Sequence, residues 1–154
     1  MNDEKQSNSK IVIAEKLGRV LASSYILQLK TQNFHWNVTG PNFGPLHTLF
    51  EGQYTEISAA VDEIAERIRA LGAVTPGSFA EFGKLTEIKE APVKPPTDKI
   101  MIKALADDNE TISKLCTDVG AFADDAGDTA TGDLMNGRIA AHDKAAWMLR
   151  AHLQ

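Results

Sequence analysis

The segment from Ala73 to Pro96 limits the fold more than any other feature of this chain. It contains Pro76-Gly77, Pro92 and Pro95-Pro96, and it interrupts a sequence otherwise patterned for long helices. Before it, Ile13, Leu17, Val20, Leu21 and Leu27 keep near-helical spacing in a stretch from Ile11 to about Asn37. Leu46, Phe50, Ile57, Val61, Ile64, Ile68 and Leu71 do the same from Leu46 to Leu71. The break between them, Thr39 to Pro45, carries two glycines and two prolines, and Gly72 is a plausible stop for the second helix. Beyond the segment, Thr97 or Asp98 can cap a third long helix reaching about Ala126, with Ile100, Ile102, Leu105, Ile112, Leu115, Val119 and Phe122. Gly127 ends it, and Asp128 can cap a fourth helix that runs to Leu153 with Leu134, Ile139, Trp147 and Leu149. No strand pattern and no internal repeat is visible. A connection as long as 73–96 is unusual between packed helices and points to a crossover joining parallel or non-adjacent elements. Phe79 to Leu85 can form a short helix inside it. The expected architecture is an all-α four-helix bundle over residues 11–154, with the crossover between its second and third helices and a flexible polar tail over residues 1–10.

Bulk properties narrow the function. With 154 residues the chain suffices for one domain with a sizeable core. A net charge of −5 favours cations as partners and disfavours nucleic acid or anionic membrane as partners of the whole surface. The single cysteine, Cys116, excludes an intramolecular disulfide and fits a reducing compartment. It lies among Ile112, Leu115, Val119 and Phe122, where a packing role is expected. The first ten residues lack the apolar core of a secretory signal, and no apolar run is long enough to span a bilayer, so a cytoplasmic protein is expected.

Four residues carry the chemistry. His35, His47, Asp62 and Glu66 supply two imidazoles and two carboxylates, a mixed nitrogen and oxygen donor set suited to ferrous iron. On one helix, His47, Glu51, Asp62 and Glu66 fall within an arc of roughly 100°. Yet Glu51 and Asp62 lie about 16 Å apart along its axis, whereas metal–ligand bonds are about 2 Å long. One copy of the helix therefore cannot close a site around all four. Two antiparallel copies can: a two-fold axis near Glu56 and Ile57 sets His47 and Glu51 of one copy opposite Glu66 and Asp62 of the other. Such a contact makes two equivalent sites, each shared between two chains. Thr55, Ser58 and Ala59 are small enough for close approach at that axis. The competing reading is an ordinary solvated acidic flank, with Arg69 pairing to Glu66 for a few tenths of a kcal/mol.

With the helices placed, the chain resembles the Dps family, the ferritin-like DNA-binding proteins from starved cells. The likeness rests on Asn33-Phe34-His35-Trp36-Asn37-Val38 through Phe43, on Leu46-His47 and Phe50-Glu51, and on Asp62-Glu63-Ile64-Ala65-Glu66-Arg67. It extends over nearly the whole chain after the tail, including the order of helices and the long middle connection. The resemblance implies a ferritin-like bundle that builds a hollow dodecameric homo-oligomer. It implies a ferroxidase centre at each two-fold interface, with His35 and His47 from one subunit and Asp62 and Glu66 from its neighbour. Glu51 falls where the family has an acidic residue, often aspartate. Trp36 takes the place of a tryptophan near the iron, with interface packing as its other role. Asp133 and Asp143 match carboxylates lining the pores that admit iron; His142 and His152 match nothing and are expected at the surface. The implied activity is oxidation of Fe(II) to Fe(III), with hydrogen peroxide as the usual oxidant and dioxygen as a slower one, followed by storage of ferric mineral, which protects DNA.

Two rival functions remain at this level. An ordinary ferritin builds its centre inside one bundle with Glu-x-x-His motifs, but here no histidine has a glutamate three positions before it. A DNA-compacting nucleoid protein with secondary iron chemistry is the other. Family members often bind DNA through lysine-rich tails, whereas in this tail Lys5 and Lys10 are offset by Asp3 and Glu4. Nonspecific affinity comes from neutralising phosphates, so DNA binding is expected to be weak.

Overall fold

The computed structural model describes residues 2–154, Asn2 by its backbone only; Met1, the first residue of the expected tail, lies outside the described residues. Among the described residues there are five helices: α1 Asn2–Asn37, α2 Phe43–Ala70, α3 Phe79–Leu85, α4 Asp98–Asp125 and α5 Thr129–Ala151. The four long ones form the bundle and α3 is the short helix of the crossover.

The structure departs from expectation at the N-terminus, where α1 begins at Asn2 instead of Ile11. Extending an existing helix carries no new nucleation cost, and Asp3 and Glu4 sit in the first turn, where negative charge meets the positive end of the helix dipole. Helix α2 starts at Phe43, three residues early, because Pro45 in a first turn gives up only an N–H that has no intrahelical partner there. Gly72 and Gly127 follow the ends of α2 and α4 with φ of +93° and +82°, a left-handed conformation that favours glycine at a helix stop. Asp128 caps α5 by accepting from the Thr131 backbone N–H.

Short turns make α1–α2 and α4–α5 hairpins, and the crossover sets how they meet. Arg67 of α2 pairs with Asp128 at the start of α5, 2.8 Å apart, at one end of the bundle. Gly40, before α2, lies beside Asp98 at the start of α4 at the other end. Helices α2 and α4 therefore run the same way, as the long connection requires. The crossover is strapped to α1: Arg19 pairs with Glu87 at 2.8 Å, the Glu87 N–H donates to Ser23 Oγ, and Lys30 donates to the Lys89 carbonyl. Phe82 and Ile88 bury themselves beneath it. The core runs along the bundle axis through Leu17, Leu27, Phe34, Phe50, Ile64, Leu105, Ile112 and Leu149. Cys116 belongs to it; burial pushes its thiol up to about 12, so it packs as a small apolar group. Helices α2 and α5 touch least of the neighbouring pairs. No described helix is long and apolar enough to cross a membrane.

Candidate metal centre

His35 ends α1 and His47 begins α2, so the hairpin turn folds one against the other. The rings stack with centroids 3.8 Å apart and 14° between planes. Each ring is tied to the other residue's backbone: His35 Nδ1 lies 2.7 Å from the His47 carbonyl oxygen, and His47 Nδ1 lies 2.8 Å from that of His35. A carbonyl only accepts, so both Nδ1 atoms carry the hydrogen, and in the neutral rings the lone pair is on Nε2. Holding the far ring nitrogen this way fixes tautomer and orientation, as outer partners do for metal-bound histidine. Neither Nε2 has a hydrogen-bond partner among the described residues.

Two aromatic rings complete the setting, and sequence reasoning had missed both. Phe43 stacks on His47 at 5.1 Å and Tyr54 meets the edge of His35 at 5.2 Å. Their register held the signal: Phe43 stands four residues before His47 and Tyr54 seven after it, all on one face of α2. Trp36 follows His35 but points away from the core, 60% exposed.

Further along α2, Asp62 and Glu66 lie one turn apart and exposed. The Asp62 carboxyl, through a shared hydrogen bond and then through its charge, raises Glu66 above the ordinary glutamate value. Two like-charged carboxyls one turn apart favour a cation between them. Arg69 does not relieve them, because its guanidinium donates to the Ala73 carbonyl at 2.8 Å. Glu51 is also exposed, one turn after His47. Within one chain the two halves stay apart: among the described residues no three His, Cys, Asp or Glu side chains gather closely enough to hold a metal ion. His47 and Asp62 are fifteen positions apart on one straight helix, about 22 Å.

On α5, Asp133 and Asp143 are both exposed, and Asp143 accepts a 2.6 Å hydrogen bond from Ser113 Oγ on α4. His152 is exposed as expected. His142 is not: it is 1% exposed, inside the bundle. The expectation of a surface residue fails because its ring has polar partners on two neighbouring side chains, Arg138 and Asn109, which make burial affordable.

A ferritin-like domain family accounts for residues 14–154 of the chain. The DNA protection during starvation protein of Brevibacillus brevis is 36% identical over 145 residues, 93% of this chain and 95% of that protein. Its counterpart numbered 2 in Bacillus anthracis is 37% identical, covering 92% of this chain and 96% of its own. Among solved structures, Dps from Thermosynechococcus elongatus superposes with a TM-score of 0.93 at 30% identity, covering 97% of this chain and 94% of that one. The Dps protein from Vibrio cholerae O1, described as a member of a broad superfamily of ferritin-like diiron-carboxylate proteins, gives 0.92 at 31% identity, covering 96% and 92%. The chain belongs to the Dps family of ferritin-like proteins.

Proposed function

We propose that this chain assembles into a closed dodecameric shell that oxidises Fe(II) to Fe(III) at centres shared across two-fold seams and stores the ferric product inside. The observation that carries the reading is the reciprocal bonding of His35 and His47, which leaves the Nε2 of each without a partner among the described residues. In this reading His35 and His47 of one protomer face the neighbouring protomer's Asp62 and Glu66, with Glu51 holding a second iron weakly. The neutral imidazoles take Fe(II), and the carboxylates add the negative charge that favours the ferric product. Two ferrous ions surrender one electron each; hydrogen peroxide accepts both and is reduced to water, and dioxygen serves as a slower oxidant. Trp36, exposed beside His35, is covered at the seam, where it packs near the reacting iron. Asp133 and Asp143 line acidic pores that concentrate entering cations. Removing iron and peroxide together protects DNA without needing to bind it tightly. A gel shift should show retention of DNA only at low salt, and salt-resistant retention would favour the DNA-compacting alternative.

The test of the shared centre is stoichiometric. His47→Ala and Asp62→Ala each abolish rapid peroxide-driven oxidation. In shells reassembled from an equal mixture, half the two-fold pairs combine the two mutants, and each such pair has one intact centre of its two, so about a quarter of wild-type activity returns. No recovery in reassembled shells means that each centre draws on one chain only.

A further inference from the structure

A second gathering of polar groups, apart from the stacked histidines, runs from buried His142 and Arg138 out to Glu56, whose side chain is 48% exposed on α2. Arg138 of α5 is buried, and its guanidinium donates through Nη1 and Nη2 to the two carboxylate oxygens of Glu56 on α2. Its Nη2 also lies 3.2 Å from His142 Nε2. On the far side of that ring, His142 Nδ1 lies 2.8 Å from Asn109 Oδ1 on α4. The tautomer follows from the partners. Asn109 gives its Nδ2 hydrogen to the Leu105 carbonyl, so its Oδ1 accepts and His142 Nδ1 carries the hydrogen. A guanidinium has no lone pair to offer, so His142 Nε2 directs its own lone pair at Arg138. Burial and the adjacent positive charge keep the imidazole neutral, pushed down to about 3.

Each group around the guanidinium is therefore an electron-pair donor turned toward one cation. A carboxylate comes from α2, a neutral imidazole from α5, and an amide from α4 fixes the imidazole from behind. Metal ions in helical bundles are held this way, by side chains on facing helices with the far ring nitrogen anchored. The surroundings have an opening and a spare ligand. A cavity of about 540 Å³ lies between α2 and α5, with Gln53, Glu56, Asn109 and His142 in its wall. Gln53, one turn before Glu56, donates to the Ala145 carbonyl, while its Oε1 is buried with no donor.

We infer that the Arg138 guanidinium occupies a metal position between α2 and α5, and that removing it turns Glu56, His142 and Gln53 into a divalent-cation site reached through the α2–α5 cavity. The guanidinium cannot be deprotonated in a protein, so it is a permanent internal cation that no change of pH withdraws. A metal ion entering beside it would meet like charge and find the carboxylate and the imidazole already engaged. Arg138 is thus a specificity-determining residue that closes this position to metal.

The inference stands apart from the shared seam and is tested without it. Cobalt(II) is titrated into chains carrying His47→Ala and Asp62→Ala, with and without Arg138→Ala, and bound metal is read by equilibrium dialysis and visible absorption. The Arg138→Ala chain should bind one further Co²⁺ per subunit, and adding His142→Ala should abolish that binding. Arg138→Gln, which keeps bulk and hydrogen bonding but not charge, should bind the same ion more weakly. Where Arg138→Ala folds only when Zn²⁺ or Co²⁺ is present during refolding, the metal has replaced the guanidinium and the inference stands. Equal Co²⁺ stoichiometry with and without Arg138 overturns it. So does extra binding that survives loss of His142, or failure of both variants to fold with metal present. Because the seam ligands are already gone, none of these results bears on the proposed ferroxidase centre.

Discussion

His47 and His142 begin from the same arrangement and end in opposite roles. In both, Nδ1 gives its hydrogen to a fixed oxygen, the His35 carbonyl in one case and Asn109 Oδ1 in the other, and Nε2 keeps the lone pair. What differs is the group that meets that lone pair. At His142 a buried guanidinium takes it; at His47 no described group of the same chain does. Preparing an imidazole to bind a metal and presenting it to one are therefore separate structural acts. The first needs a local acceptor, which a hairpin turn or a neighbouring helix supplies. The second depends on whether the fold brings a cation of its own.

The contrast breaks most decisively on iron oxidation. His35→Ala and His47→Ala should each slow peroxide-driven oxidation by more than about 100-fold, since losing even an outer partner of a metal ligand costs up to that much. His142→Gln should leave the rate within about two-fold, because its lone pair serves Arg138 and not iron; ligand loss at a metal site is felt far more than loss of a remote hydrogen bond. Stopped-flow absorbance of the ferric product, on variants shown by circular dichroism to be folded, measures both. Comparable losses at His142 and His47 would erase the distinction.

The legible and illegible parts of the molecule divide along the same line. Helix boundaries set by Gly72, Gly127 and Asp128 could be read because each acts through its own backbone or the next few residues. The crossover was readable for a similar reason, since length and proline content constrain the chain directly. That His35 and His47 belong together could be read, but their mutual carbonyl bonds could not, because these depend on the angle at which the hairpin closes. His142 matched nothing in the resemblance and so was expected at the surface; its burial was not legible because Asn109 and, through Arg138, Glu56 come from helices far away in sequence. The tail misled differently: its polar composition describes its surface, whereas α1 continues through it.

A smaller effect separates the two histidines in acid. The folded-state value of His142 is about 3, against 6.5 for an unperturbed imidazole. Between those values the unfolded chain binds a proton that the folded chain refuses, so its contribution is intact above the unfolded value and declines as pH falls. The slope approaches 1.4 kcal/mol per pH unit for each chain, or about 2 kcal/mol by pH 5. His142→Gln removes this dependence while other titrations remain common to both proteins. Urea midpoints at fixed protein concentration should show the stability gap between wild type and His142→Gln narrowing by that amount from pH 7 to pH 5. A gap that stays constant would mean the buried imidazole is protonated in place.

The smallest effect concerns how the proposed metal-facing pair is held. Two restraints act on His35: its Nδ1 hydrogen bond to the His47 carbonyl, and the edge of the Tyr54 ring 5.2 Å away. Such an aromatic contact contributes about 0.5–1.5 kcal/mol beyond burial. If the carbonyl bond alone sets the ring, Tyr54→Leu should leave Co²⁺ affinity at the seam nearly unchanged; if the two share the task, affinity should drop about three- to ten-fold, the same energy expressed as a ratio. The second outcome is expected, because the stacked rings of His35 and His47 can still slide together about their two carbonyl bonds, and Tyr54 blocks that motion from the side. Phe43→Leu should do less, since Phe43 is 45% exposed and stacks on the outer face of His47. A loss in Tyr54→Leu as large as that in His47→Ala would show that packing, more than the reciprocal carbonyl bonds, orients the ligands.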